Sequence, residues 1–308
     1  MSAPPRAAAV ILGTRASPLA RTQTELVVGL LQAAWPELRC EIRVLDTAGD
    51  RTQASGEPLP EIGGKGLFTE ELERALRDGE IDLAVHSLKD LPTEDAEDVV
   101  VGAVTAREDV RDCIVGGSLA SLPEGAVVGT SSLRRAAQLR ATRPDLDVRS
   151  IRGNVGTRVR KVQEGEVDAT VLAAAGIRRL GLDEVVTEWL PADVMLPAPG
   201  QGALAVQCRA GDPVLELIRA VDDDAARAET TAERAFLRVL GAGCAAPVAA
   251  LAVAGETPRV RLQGLVAAVD GDQMVRVEGE GAALQIGERL ALDALAGGAD
   301  RILAAIRG

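Results

Sequence analysis

Apolar positions along the first 200 residues follow two alternating rhythms, one that fits strands and one that fits helices. AVILGTRASPLARTQ opens with an apolar run that stops at Gly13-Thr14 and passes into a helical pattern, and AVVGTSSLRRAAQL does the same around Gly129-Thr130. Each helical stretch ends at a proline, Pro36 or Pro144. Behind it, PELRCEIRVLDT and PDLDVRSIRG alternate apolar and polar residues as half-buried strands do. GEIDLAVHSLKDL from Gly79 then matches GEVDATVLAAAGI from Gly165. The two segments are copies of one pattern, and internal repeats of this kind set the architecture. The first copy carries about 30 extra residues, many of them in TAGDRTQASGEPLPEIGGKGLF, whose Gly, Pro, Ser and Asp content reads as a long mobile loop.

Strands alternating with helices in two related copies predict two α/β domains with mostly parallel sheets around a cleft, with ligands at strand ends and helix N-termini. From about Asp222 the rhythm changes. TAERAFLRVLGAG reads as a capped helix, PVAALAVAG, PRVRLQGLVAA and QMVRVEGEG as short strands, and LQIGERLALDALAGGADRILAAIRG as one amphipathic helix. This predicts a third, small α+β domain, with Cys244 on the turn after its first helix.

Bulk properties narrow the function. A net charge of -12 repels a phosphate backbone, and two Phe, two Trp and no Tyr leave little to stack on bases, so nucleic acid is not an expected partner. No apolar run approaches the ~18 residues of a membrane span, and MSAPPRAAAVILGT does not read as a signal peptide, so a cytoplasmic protein is expected. Cys40, Cys113, Cys208 and Cys244 are far apart and form no CxxC pair, which suggests neither a disulfide framework nor a metal site.

Cations gather at the strand-to-helix turns, where free backbone N–H groups and the positive helix end already favour anions. LGTRASP supplies Arg15 and Ser17; VGTSSLRR supplies Thr130, Ser131, Ser132, Arg134 and Arg135; IRGNVGTRVRK supplies Arg152 and Arg158; AAAGIRRLG supplies Arg179. Taken singly, Arg134, Arg135 and Arg158 read as decoration of solvated helix faces. Their shared position speaks against that, since in a doubly wound fold these turns lie at one edge of their sheets. Arginine's planar fork binds carboxylates two-pronged, so the set fits a ligand with several carboxylates. Phosphate would fit almost as well, but no GxxxxGK[ST] loop is present. AVHSLKDLP carries the one histidine, His86, on the strand itself, where a hydrogen-bonded structural residue is the plainer reading. Lys89 and Asp90 follow at the strand end, as a solvated turn or as ligand-facing groups.

Together these stretches resemble one family, the porphobilinogen deaminases or hydroxymethylbilane synthases. LGTRASPLA, GGKGLFTEELE, AVHSLKDLPT, VGTSSLRRAAQL, IRGNVGTR, AAAGIRRLGL, LPAPGQGALAVQCR and GAGCAAPVAA run in family order from about Ile11 to Ala250. The resemblance implies two domains with the fold of two-lobed periplasmic binding proteins plus a small α+β C-terminal domain. Its implied division is 10–105 with 200–221 for domain 1, 106–199 for domain 2 and 222–308 for domain 3. The implied activity is a transferase reaction of tetrapyrrole and haem biosynthesis: head-to-tail condensation of four porphobilinogen units to hydroxymethylbilane, with loss of ammonia at each step. The implied cofactor is a dipyrromethane held by a thioether to Cys244, which composition alone would read as a small buried hydrophobe.

Asp90 matches the family's catalytic carboxylate. A fixed carboxylate stabilises the cation left when ammonia is expelled, and its oxygens can hold pyrrole N–H groups and accept the proton released on rearomatisation. The resemblance gives His86 no such role. Lys89, Ser132, Arg134 and Arg135 match positions that hold the cofactor; Arg15, Ser17, Thr130, Arg152, Arg158, Arg179, Gln201 and Gly202 match positions on the substrate side. Lys65 and Phe68 match the active-site loop. Ala245 departs from the polar residue many members carry there, which puts only local packing in doubt. The family favours a monomer. The competing readings are a two-lobed anion-binding or sensing protein without catalysis, since fold does not fix function, and an anion-dependent phosphotransferase, for which DAEDVV and VDDDAA read as solvated turns rather than metal ligands.

Overall fold

The computed structural model describes residues 9–47, 69–94, 96, 98–243, 246–255 and 259–307. The chain forms two compact units, Met1–Arg107 with Ala203–Arg227, and Glu108–Gly202 with Ala228–Gly308. In chain order the first unit contains β1 (Val10–Arg15), α1 (Pro18–Ala34), β2 (Cys40–Leu45), α2 (Glu70–Arg77), β3 (Leu83–Ser87), a 3-10 turn at Leu88–Asp90, and β4 (Val99–Val104). The second contains β5 (Asp112–Val115), β6 (Val127–Gly129), α3 (Leu133–Thr142), β7 (Asp147–Arg149), α4 (Val155–Gln163), β8 (Ala169–Ala173), α5 (Ala174–Arg179) and β9 (Glu188–Leu190). β10 (Leu204–Arg209) and α6 (Val214–Ile218) belong to the first unit again. Then come α7 (Asp224–Val239), β11 (Val248–Ala254), β12 (Arg259–Ala267), β13 (Met274–Ala282), α8 (Ala283–Ala294) and α9 (Asp300–Arg307).

The repeat is visible strand by strand. One sheet runs β2-β1-β3-β10-β4 and the other β7-β6-β8-β5-β9, with β1 and β6 each parallel to both neighbours. β10 and β5 lie antiparallel to both neighbours, so each sheet carries one reversed strand where a mostly parallel one was expected. Both reversed strands come from outside the βαβ units of their sheets, and an antiparallel neighbour needs no crossover helix.

The matched motifs do the same work in both copies. Gly79 and Gly165 end their helices at φ 69° and 74°, and the next residues bond back, Glu80 N to Ala75 O and Glu166 N to Lys161 O, both at 2.9 Å. This is the left-handed helix stop that glycine allows without strain. Two residues later the Asp82 carboxylate accepts the Ile11 N–H at 2.9 Å, and Asp168 accepts the Val127 N–H at 2.7 Å. Each aspartate therefore fastens the start of the strand in its own sheet that has a parallel neighbour on both sides.

Helix entry is set by capping. The Ala20 N–H donates to Ser17 Oγ at 3.3 Å ahead of Pro18, the Arg135 N–H to Ser132 Oγ at 3.4 Å, and the Thr157 N–H to Asn154 Oδ1 at 2.9 Å. On α1, Gln23, Thr24, Val27 and Leu31 form the buried face. β2 departs from the half-buried expectation, because it is an edge strand with Ile42 and Val44 both exposed.

The last part of the second unit is an antiparallel meander, β11-β12-β13, covered by helices. Phe236 of α7 lies against Gly264 of β12, where an added Cβ would come within 2.5 Å of its ring. α7 begins two turns earlier than TAERAF suggested, because Asp223 caps it by accepting the Ala226 N–H at 2.8 Å. VDDDAA is thus structural rather than a solvated turn, and Asp222 Oδ1 also takes the Val104 N–H at 2.7 Å. The expected single C-terminal helix is broken between α8 and α9 at Gly298, whose φ is 105°.

Candidate active site

In the first unit the candidates stand at the C-terminal ends of β1 and β3, which pair in parallel register with Gly13 opposite Ala84. Arg15 ends β1 half-buried, and Ser17 is spent partly as the α1 cap. β3 runs through His86 and Ser87 into the turn that presents Lys89 and Asp90. That turn is held from below by the Leu88 N–H on Ala203 O at 3.0 Å and closed by the Leu91 N–H on Leu88 O at 3.1 Å. The strand end is also fastened from α1, where buried Gln23 donates to Ser87 Oγ at 2.8 Å. Lys89 is half-buried and Asp90 is exposed, so the carboxylate lies on a fixed backbone with its oxygens toward solvent.

His86 is buried beneath this turn. Burial, and secondarily the Arg15 charge, push its pKa down to about 4, with a weak opposing pull from Gln207. His86 Nε2 and Gln207 Oε1 are both buried atoms without a hydrogen-bond partner. A neutral, enclosed imidazole is no general base for a solvent-facing reaction.

In the second unit three strands meet at one sheet edge. β6 and β8 end there, and reversed β5 begins there, since Asp112 pairs with Ala173 at the end of β8. Thr130 is buried behind β6 and its Oγ1 accepts the Ser132 N–H at 3.2 Å. Arg134 and Arg135 are buried, not solvated: Arg134 Nη1 lies 2.7 Å and Arg135 Nη2 2.8 Å from the two oxygens of Asp112. Arg134 Nη1 also donates to Leu196 O at 2.7 Å, and Arg135 Nη1 to Val171 O at 3.1 Å. Burial alone would raise the Asp112 pKa, but the two guanidinium groups outweigh it and hold the carboxyl well below the usual range. The group keeps one positive charge in excess, and Arg135 Nε has no hydrogen-bond partner.

Gln201 and Gly202 sit behind this group. The Gln201 amide donates to Val110 O at 2.8 Å, Arg111 O at 3.2 Å and Asp112 Oδ1 at 2.9 Å. Gly202 O accepts Arg179 Nη2 at 2.6 Å, and burial lowers the Arg179 pKa to about 10 against a smaller opposing effect of Glu108. Arg158 Nε donates to Gly153 O at 2.9 Å, and Arg152 is exposed. Asp112 is not among the residues that the sequence motifs single out; an aspartate opening the apolar strand DCIV is the signal the sequence offers.

Lys65, Phe68, Cys244 and Ala245 lie outside the described residues. The other three cysteines make poor thiolates, because burial raises the pKa of Cys40, of Cys113 to about 12 and of Cys208 to about 11. Among the described residues no helix is long and apolar enough to cross a membrane.

Comparison with known proteins adds the family. The profile described as "Porphobilinogen deaminase, dipyromethane cofactor binding domain" matches residues 10–216, and "Porphobilinogen deaminase, C-terminal domain" matches 227–296. A porphobilinogen deaminase of Roseiflexus castenholzii is 51% identical over 300 residues, 95% of this chain and 98% of that one. One of Deinococcus radiodurans is 46% identical, over 97% of this chain and 99% of its own. Among solved structures, the periplasmic VFT2 domain of Bordetella pertussis BvgS covers 68% of this chain and 86% of its own at 16% identity and a TM-score of 0.40. That likeness is too slight to bear on the fold, which rests on the strand orders above.

Proposed function

The chain belongs to the porphobilinogen deaminase family, and from that premise we propose which of its residues carry the reaction. The reaction is that of a hydroxymethylbilane synthase, a transferase of tetrapyrrole biosynthesis that condenses four porphobilinogen units with release of ammonia and works with a dipyrromethane cofactor.

Asp90 is the catalytic carboxylate. As ammonia leaves the aminomethyl arm of porphobilinogen, positive charge grows on that carbon and spreads into the pyrrole. A carboxylate fixed on a hydrogen-bonded turn stabilises that charge without having to reorganise. The same oxygens hold the pyrrole N–H and take up the proton lost when the new pyrrole regains aromaticity. Arg15, Ser17, Thr130, Arg152, Arg158 and Arg179 bind the acetate and propionate groups of porphobilinogen, and Lys65 and Phe68 serve as residues of the active-site loop.

Cys244 by its thioether, with Lys89, Ser132, Arg134 and Arg135, would hold the dipyrromethane. The second-unit residues fit such a group: two buried guanidinium ions face one carboxylate, and a buried Arg135 Nε awaits an acceptor. When bound, the dipyrromethane supplies the pyrrole carbon to which the first substrate unit is joined. Gln201 and Gly202 act from behind, through Asp112 and Arg179. The excess positive charge of the Arg134–Arg135–Asp112 group is the observation that carries this reading. We further assign a cytoplasmic monomer divided at 10–105 with 200–221, 106–199 and 222–308, with porphobilinogen as its small-molecule partner and neither membrane nor nucleic acid bound.

Intact mass under denaturing conditions tests the assignment. An excess equal to two linked pyrroles on the peptide containing Cys244 is expected, before or after incubation with porphobilinogen. An unmodified Cys244 after both would favour a binding protein without catalysis.

A further inference from the structure

Two buried arginines adjacent in sequence repel each other and keep their places only if an anion stands between them. Asp112 is that anion. It opens β5 from the next segment of the sheet edge, is fully buried, and gives one oxygen to each guanidinium, at 2.7 and 2.8 Å. Its own position is fixed in turn by the Gln201 amide at 2.9 Å. That amide also clasps the two carbonyls just before Asp112, so the carboxylate cannot swing away without breaking the loop's hydrogen bonds.

We propose that Asp112, backed by Gln201, is a positioning residue that holds Arg134 and Arg135 in the arrangement that receives a carboxylate of the dipyrromethane group. The inference rests on the assignment of Arg134 and Arg135 to that group. One anion shared by two cations orients both forks and leaves one charge over. It also leaves Arg135 Nε as an uncommitted donor, which a second carboxylate can take. Had the site held two carboxylates of its own, the cluster would be neutral and a ligand anion would gain little. Had it held none, the guanidinium groups would splay apart. Gln201, matched from its sequence to the substrate side, acts through Asp112 instead.

The test uses the full chain with Asp112→Asn, Asp112→Glu, Gln201→Ala and Arg135→Leu. Three readouts are taken: the two-pyrrole mass increment on the purified protein, the rate at which apo-protein gains it from porphobilinogen, and thermal melting. Asp112→Asn is expected to be folded, to carry at least tenfold less of the increment and to regain it at least tenfold more slowly, with Asp112→Glu recovering part of the rate. A normal increment and rate in folded Asp112→Asn, with Arg135→Leu empty, overturns the positioning role and leaves the arginine assignment standing. A normal increment in Arg135→Leu overturns the assignment itself. If Asp112→Asn does not fold, Gln201→Ala decides, since it keeps every charge. Slower loading with near-normal melting supports the role, and an unchanged loading rate overturns it.

Discussion

Gly202 lies so close to Glu108 that a Cβ added to it would stand 2.4 Å from the Glu108 carbonyl oxygen, and its φ of 91° is in the left-handed region. The Gly202 carbonyl meanwhile accepts both the Glu108 N–H and Arg179 Nη2. Gly202→Ala therefore meets backbone on one side and strain on the other, with no flexible atom to yield. It is expected to cost about 3 kcal/mol, the upper part of the range for single substitutions. It should also raise KM, because Arg179 follows the carbonyl. Gly211→Ala is the control, since Gly211 has φ 74° but open space around its Cα, and should cost only about 1 kcal/mol. Urea unfolding of both variants checks the ordering; equal losses would show that the contact with Glu108 is not what demands glycine.

Asp90 is exposed and its backbone is held by Leu88 and Leu91, so its side chain contributes little to the fold. Asp90→Asn should melt within a degree or two of the unchanged protein while turnover falls by about 10² to 10³ or more, the scale of removing one preorganised electrostatic group. Product formation and melting, measured on the same preparation, separate the two effects. Wild-type-like turnover would remove Asp90 from the mechanism.

The sequence made the repeat legible because its punctuation is chemical. Gly79 and Gly165 occupy backbone that other residues adopt with strain, and Asp82 and Asp168 each satisfy a backbone N–H, so both copies kept the same letters. The place of Arg134 and Arg135 in the first turn of α3 followed from the strand-to-helix turn in VGTSSLRR, whereas Arg179 lies at the far end of α5. Strand direction did not follow, since nothing in DCIV or LAVQCR says which way it runs within a sheet. Asp112 was hidden for a related reason: its value comes from partners at Arg134, Arg135 and Gln201, 22 or more positions away, brought together only by a reversed strand. The helix break at Gly298 was within reach, as GlyGly in an otherwise continuous pattern marks a stop.

His86 predicts a pH dependence that has nothing to do with turnover. Its pKa falls from an ordinary 6.5 to about 4 in the folded chain, first by burial and then by the charge of Arg15. The unfolded chain thus takes up this proton at a higher pH than the folded one. The stability linked to it is fully present above pH 6.5 and is lost as the pH falls toward 4, by up to about 3 kcal/mol. His86→Gln abolishes this contribution. Urea unfolding at pH 7 and pH 4.5 should therefore show a smaller acid loss in the variant than in the parent; identical losses would place the folded-state pKa of His86 near its ordinary value.

Glu233 is fully buried on α7, with Oε2 accepting the Gly200 N–H at 2.6 Å and Oε1 the Ala252 N–H at 2.8 Å. It ties the start of the Gly200–Gly202 turn to β11, and that turn carries the Gln201 amide that holds Asp112. Glutamine matches the size of glutamate but replaces one acceptor with a donor, which would then face a backbone N–H. Glu233→Gln should cost about 2 to 3 kcal/mol for that confrontation and the lost charge-assisted bond. Because the strain falls on the turn, the variant should also load porphobilinogen onto apo-protein more slowly than its stability loss explains. Comparing its loading rate with that of an equally destabilised variant in the core around Phe236 makes the distinction. Equal rates would mean that Glu233 supports the fold in general and not the turn behind the arginines.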